Sequence, residues 1–325
     1  MEDARYSSMI CELIGSSFVN DDLDSKFDTK INTFTPYVFE FIAFGGITNY
    51  NVSRMKTSKY TILAYQIYNI ILTAPEKKII EEVGTRIKQF EADDSFTTAH
   101  GILKLNDSLT VCLLCSIVGV RFHSDTSKLI KFSLELSKTI NKKDNDIMSE
   151  VGGIVSAYIT SLLINDTKID NVAGAVIEFL TTFDKNHNYK KNFKFFKNTW
   201  IKYFENRFRN NKPIRNEANL ISHIMSIPFK RTYHYVKNYC IDEHYPGLFS
   251  LDILIISYDC LLDSESNFEK FIYYCCLHNG NRSSTAMLGG LWYGILYGKD
   301  KIPEYLVQYV DKLFPLYFNK FTQIE

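Results

Sequence analysis

Apolar residues recur with helical spacing along most of the chain. Within residues 57–72, Ile62, Leu63, Ile67, Ile70 and Ile71 fall on one face of a helix. Residues 108–120 are apolar on every side and fit either a buried helix or a central strand; the lack of strand signals nearby favours a helix. Comparable patterns predict further helices at 126–138, 151–164, 171–183, 252–262, 267–277 and 303–314.

Helix ends and turns complete this prediction. Ser127 can cap the helix at 126–138, and Pro303 can occupy the first turn of the last helix, which we expect Pro315 to interrupt. The chain has 15 Gly and 7 Pro, and no hairpin dipeptide stands between alternating runs. We therefore predict an all-α fold with one domain over residues 1–325.

Composition limits the class of protein more than its partners. Lys+Arg and Asp+Glu both number 37, so net charge indicates no partner. Cys112 and Cys115 form a CxxC inside an apolar run, which favours buried thiols in a reducing compartment over a metal site. The acidic N-terminus lacks the basic region of a secretory signal, and no apolar run is long enough to span a membrane. A cytoplasmic location is the expectation.

Residues 278–298, HNGNRSSTAMLGGLWYGILYG, have the shape of a ligand site. Ser283 or Ser284 can cap a helix that contains Gly289, Gly290 and Gly294. Each glycine costs about 1 kcal/mol relative to alanine in an exposed helix, so a second helix or a ligand should approach closely there. Gly298 fits the helix end. The helix N-terminus follows a polar turn, an arrangement suited to an anion.

Several segments in order resemble the ADP-ribosylglycohydrolase family. Residues 278–284 are similar to that family's H-G-G-D-x-D-S/T, and 251–262 to its H-D-x-P-M-I-A-Y-D-A-L-L segment. Residues 44–72 resemble the stretch that contains S/T-D-D-T. Shorter similarities occur at 5–19, 116–122 and 198–207. The resemblance implies an orthogonal multi-helix bundle and hydrolysis of ADP-ribosyl bonds with a pair of divalent cations, usually magnesium.

The acids that the resemblance requires are missing. Carried over residue by residue, S/T-D-D becomes Ser58, Lys59 and Tyr60. The two aspartates of the second motif become Asn281 and Ser283, with Arg282 between them and Ser284 keeping the hydroxyl. Magnesium prefers carboxylate and water oxygens, whereas these positions supply amides, hydroxyls and cations. We therefore expect a pseudoenzyme without catalytic residues, metal ligands or cofactor, which acts as a binding or scaffold protein.

Two activities other than scaffolding stay open. The chain could bind ADP-ribose without a metal, or it could be an altered hydrolase of ADP-ribosyl groups. Residues outside the motifs offer little chemistry. Asp93 and Asp94 fit a solvated turn or a helix cap. Lys59 is better interpreted as a side chain whose ammonium group takes the place of a metal ion than as a nucleophile. His100 and the pair Cys240 and His244 lack supporting patterns.

Residues 188–215 carry nine Lys or Arg against one acid, Glu205, with eight aromatics interleaved. Such a segment can form a contact surface for nucleic acid, an anionic surface or an acidic protein. The alternative is an amphipathic helix whose aromatic residues face the core while its lysines face water. A protein partner is expected, and the candidate surface residues are Lys190, Lys191, Lys194, Lys197, Lys202, Arg207 and Arg209.

Overall fold

The computed structural model describes residues 2–17, 41–43, 45–52, 59–92, 107–141, 147–187, 191–215, 228–242, 246–278 and 280–318. The α-helices found there are α1 (Glu2–Ser17), α2 (Lys59–Thr73), α3 (Ile79–Ala92), α4 (Asp107–Arg121), α5 (Thr126–Ile140), α6 (Ile147–Ile164), α7 (Ile169–His187), α8 (Lys191–Arg207), α9 (Pro228–Asn238), α10 (Ser250–Ser264), α11 (Phe268–Cys276), α12 (Arg282–Tyr297) and α13 (Glu304–Phe318). Two short 3₁₀ turns cover Glu76–Lys78 and Lys299–Lys301. The all-α prediction is confirmed, and residues 108–120 are helical.

One antiparallel hairpin follows α8. Strand β1 (Phe208–Arg209) pairs with β2 (Lys212–Pro213), so that Arg209 stands opposite Lys212. Asn210 and Asn211 form the turn with φ of 52° and 60°. Positive φ at both central residues is typical of a type I′ turn, in which asparagine is favoured.

Two predicted helix ends were wrong. Asp125, not Ser127, caps α5, because its side chain accepts a hydrogen bond from the Lys128 amide at 3.0 Å. Helix α13 does not stop at Pro315 but continues to Phe318. Pro315 lies in the last turn of α13, where the loss of one amide donor does not end the helix.

Helices α1 and α12 pack antiparallel at very short range. A Cβ added to Gly294 would lie 2.5 Å from Ala4 Cα, and one added to Gly290 would lie 2.8 Å from Cys11 Cβ. At the other end, a Cβ on Gly15 would lie 2.9 Å from the Arg282 carbonyl oxygen. The glycines of α12 therefore accommodate a helix, one of the two partners that the sequence allowed.

Helix α2 lies beside the same helix. Ala64 and Met287 belong to one apolar cluster, and Tyr68 and Leu291, each four residues further along, line a cavity of about 30 Å³ with them. These residues place part of α2 next to α12. None of the described helices is both long and apolar enough to cross a membrane.

Candidate functional site

The turn before α12 is held by a buried histidine. His278 is 1% exposed, its Nδ1 accepts from the Gly280 amide at 3.1 Å, and its Nε2 lies 2.7 Å from Thr285 Oγ1. Since Nδ1 is the acceptor, Nε2 carries the proton and donates to Thr285. Burial, with Arg282 nearby, lowers the pKa of His278 to about 3. The imidazole is therefore neutral, and its two hydrogen bonds hold the turn against the first residues of α12.

Residues 281–284 make their own contacts at the start of α12. Asn281, not Ser283 or Ser284, is the N-cap, since its side-chain oxygen accepts from the Ser284 amide at 3.1 Å. Its own amide donates to the Pro246 carbonyl at 2.8 Å. The side-chain oxygen of Asn281 therefore accepts a hydrogen bond from the first turn of α12.

Arg282 and Ser283 point into protein rather than solvent. Arg282 is 7% exposed and donates from Nη1 to the His278 carbonyl at 3.2 Å. Ser283 Oγ donates to Glu12 Oε1 at 2.8 Å, and Glu12 on α1 is fully buried. Ser284 Oγ is buried and has no hydrogen-bond partner among the residues that the structure describes.

The other half of the expected site is described only in part. Lys59 and Tyr60 are the first two residues of α2, whose Ala64 belongs to one apolar cluster with Met287 of α12. Ser58 and the side chains of Lys59 and Tyr60 lie outside the described residues. Their place opposite residues 281–284 therefore stays a prediction.

A model of the ADP-ribosylglycohydrolase family matches residues 76–324. The chain belongs to the ADP-ribosylglycohydrolase family. It is 28% identical over 211 residues to the ADP-ribosylhydrolase ARH1 of Dictyostelium discoideum, covering 58% of this chain and 52% of that protein. It is 21% identical over 326 residues to the putative ADP-ribosyl glycohydrolase L444 of Acanthamoeba polyphaga mimivirus, covering 88% of this chain and 61% of that protein. The chain thus spans less than two thirds of either relative.

The described donors do not fit the pair of divalent cations that the family implies. Residues 281–284 supply an amide, a guanidinium and two hydroxyls, and the amide oxygen already caps α12. Glu12 is the acid in contact with this segment, and it accepts from Ser283. Within the described ranges, no group of three or more His, Cys, Asp or Glu side chains is arranged to hold a metal ion. A hard divalent cation needs several anionic or water oxygens, which this segment does not offer.

The basic segment divides between surface and core. Lys194, Lys202 and Arg209 are exposed and Lys197 is partly exposed, while Lys190 and the side chain of Lys191 lie outside the described residues. Phe193, Phe196, Trp200 and Tyr203 are fully buried, but Phe195 is 50% exposed. The amphipathic interpretation holds for the buried face of α8, and Phe195 departs from it.

Arg207 is not part of the contact surface, and its prediction as a surface residue was wrong. It is fully buried, where its Nε donates to Asp259 at 2.7 Å and its Nη2 to Asp263 at 2.7 Å. Arg231 of α9 donates to the other oxygen of each carboxylate, at 2.8 Å for Asp263. A charged side chain is found in a protein core only when it is paired, and the two carboxylates therefore account for the burial of Arg207.

Asp259 is the centre of this buried network. Besides the two arginines, it accepts from Tyr203 at 2.7 Å and from Tyr235 at 2.6 Å. Burial alone would raise the pKa of Asp259, but the guanidiniums of Arg207 and Arg231 lower it well below its usual range. The network joins α8, α9 and α10. Its sequence signal was Asp259, one of two acids within the apolar stretch 251–262.

The remaining candidates gain no support as reactive groups. Burial raises the pKa of the Cys240 thiol well above its usual range, which disfavours the nucleophilic thiolate. Cys112 and Cys115 are buried, unpaired thiols as expected. Asp93, Asp94, His100 and His244 lie outside the described residues.

Proposed function

We propose that this chain is an ADP-ribosylglycohydrolase family member that has lost metal-dependent hydrolysis and works by binding. The observation that carries the proposal is Arg282, a buried guanidinium where the family places its metal-binding turn. In this proposal the retained helical fold presents surfaces to a protein partner. No residue of this chain is assigned a catalytic role.

Electrostatics supports this proposal. Two unit charges about 4 Å apart repel by about 4 kcal/mol at an effective dielectric constant of about 20. A doubly charged ion near Arg282 would meet roughly twice that repulsion. Glu12 would offset part of this repulsion, but one carboxylate cannot balance two divalent ions.

A second candidate function is metal-independent binding of ADP-ribose. It is favoured by Ser284, whose hydroxyl is buried without a partner in the described part of the chain, at a helix N-terminus beside Arg282. A helix N-terminus and a guanidinium both attract phosphate. An altered hydrolase of ADP-ribosyl groups is the third candidate, since the names of both relatives denote hydrolases.

Calorimetry with ADP-ribose, in magnesium and in chelator, separates these candidates. The binding-protein proposal expects no heat of binding in either buffer. Binding of equal strength in both buffers would replace it with the metal-independent binder. Binding that requires magnesium would contradict the loss of the metal site.

A matched pair of variants locates any binding that is seen. Ser284→Ala removes the hydroxyl at the α12 N-terminus, whereas Ser137→Ala removes a buried hydroxyl from α5, where it donates to the Ser133 carbonyl at 2.7 Å. ADP-ribose binding at the α12 N-terminus would weaken in Ser284→Ala and persist in Ser137→Ala. Equal weakening in both would indicate a general loss of structure.

A further inference from the structure

The exposed part of α8 and the hairpin that follows it carry several cations. Lys194 and Lys202 are both exposed and lie eight residues apart on α8, about 12 Å along the helix axis. Arg209 and Lys212 lie on the hairpin that follows α8, and both are exposed. Glu205 is the one acid in residues 188–215.

The hairpin places two of these cations directly opposite each other. Arg209 pairs with Lys212 across β1 and β2, and the Asn210–Asn211 turn keeps them close to its tip. Like charges in directly opposite positions destabilise a strand pair. A bound anion would lower this repulsion, and the two side chains give the hairpin tip a positive charge.

An exposed aromatic ring accompanies the cations. Phe195 follows Lys194 on α8 and leaves half of its surface in solvent, whereas its neighbours Phe193 and Phe196 are fully buried. The core therefore does not account for Phe195. A flat apolar ring beside cations can stack on an unpaired base.

Hydrogen bonds to neighbouring elements hold α8 and the hairpin in place. Arg207, directly before the hairpin, is fixed by Asp259 and Asp263. The Ile214 amide donates to the Arg207 carbonyl at 2.8 Å and closes the hairpin base. Lys202 is positioned in part by the Asn238 carbonyl at the end of α9, at 3.0 Å.

We propose that this face, defined by Lys194, Phe195, Lys202, Arg209 and Lys212, binds single-stranded nucleic acid. The cations contact phosphates of the backbone, and Phe195 stacks on a base. Cations alone would serve an acidic protein or an anionic membrane equally well; the combination with an exposed ring favours unpaired bases. This inference does not depend on the loss of hydrolysis at 281–284.

Fluorescence anisotropy of the full chain with labelled oligouridylate and oligothymidylate tests the inference. We expect the logarithm of the binding constant to fall linearly with the logarithm of the salt concentration. Arg209→Glu with Lys212→Glu should weaken binding at least roughly tenfold, because it reverses two phosphate contacts. Phe195→Ser, which leaves the charge unchanged, should weaken it roughly five- to a hundredfold.

The control is Lys131→Glu with Lys138→Glu, which makes the same change of net charge on exposed positions of α5. Affinity within about twofold of the unchanged chain supports the assignment to α8 and the hairpin. An equal loss in this control would overturn it, as would absence of oligonucleotide binding at low salt. Binding to vesicles of equal parts phosphatidylcholine and phosphatidylserine without binding to oligonucleotides would overturn it in favour of a membrane. Full affinity in Phe195→Ser would overturn the stacking contact that distinguishes nucleic acid from other polyanions.

Discussion

Replacing Asp259 by asparagine should remove a large share of the stability of the fold. The substitution keeps the size of the side chain but deletes one of the two negative charges that face Arg207 and Arg231. Two buried guanidiniums would then share Asp263 alone, leaving one uncompensated charge in the core. Breaking a buried ion pair from one side typically costs about 3–5 kcal/mol. That is a substantial part of the roughly 5–15 kcal/mol by which domains are stable.

Urea unfolding followed by circular dichroism measures this loss as a change in the free energy of unfolding. Glu76→Gln is the matched control, because it breaks a single ion pair, to Lys128, in which both side chains are 44% exposed. An exposed pair contributes about 0–1 kcal/mol. A loss of unfolding free energy below about 1 kcal/mol in Asp259→Asn would refute the reasoning, because a loss that small is typical of ion pairs exposed to solvent.

The same carboxylate gives a pH dependence with a definite sign. Its pKa in the folded chain lies below the ordinary value of 3.8 because the guanidiniums favour the charged form. The unfolded chain therefore binds this proton first as the pH falls. The stabilisation should be complete above about pH 5 and should decline as the pH falls through 3.8 toward the lower folded value. Urea midpoints between pH 7 and pH 3 check this, and Asp259→Asn should lack that part of the decline.

Three further outcomes follow from the packing around α12. Gly294→Ala should lower the free energy of unfolding by about 1–3 kcal/mol, because the new methyl group would meet the backbone of α1. The control Gly174→Ala, whose new methyl group would have its nearest neighbour at 3.9 Å, should raise the free energy of unfolding by up to about 1 kcal/mol. Urea titrations measure both changes, and equal effects would contradict the close approach of α1 and α12. The pKa of His278 is about 3 in the folded chain against an ordinary 6.5, so the free energy of unfolding should fall by up to about 1.4 kcal/mol per pH unit between pH 6.5 and pH 3. If His278→Asn showed the same dependence of unfolding free energy on pH, the result would contradict a buried neutral imidazole. Ser283→Asp sets a second carboxylate against Glu12. Relative to the unchanged chain, it should lower the melting temperature more at pH 7, where carboxyl groups are ordinarily charged, than at pH 3, where they are ordinarily protonated; an equal decrease at both would show that the two groups do not interact.

The helical pattern could be predicted because apolar spacing reports which face of each helix is buried. Residues 108–120 illustrate the limit, since an apolar run without periodicity fits both a helix and a strand. Helix α9 was not predicted, because its stretch is short and mixes aromatic and basic residues with a single aliphatic residue, Val236. The hairpin was missed because Asn210–Asn211 is a weaker turn signal than the glycine-containing pairs.

The place of the candidate site was predicted from motif order and stays a prediction, and its contacts could not be predicted. That the acids at positions 281 and 283 are replaced was visible in the sequence, whereas the contact between Ser283 and Glu12 joins residues 271 positions apart. Arg207 shows the same limit. Its basic neighbours suggested a surface, and only the position of Asp259 on α10 reveals that it is an internal partner.

The most direct test of the central claim is the release of ADP-ribose from an ADP-ribosylated protein substrate in the presence of magnesium. The account predicts that release stays at the level of a buffer blank, with and without a chelator. Turnover that requires magnesium and stops when the chelator is added would contradict it, because the residues at 281–284 would then take part in a working metal site.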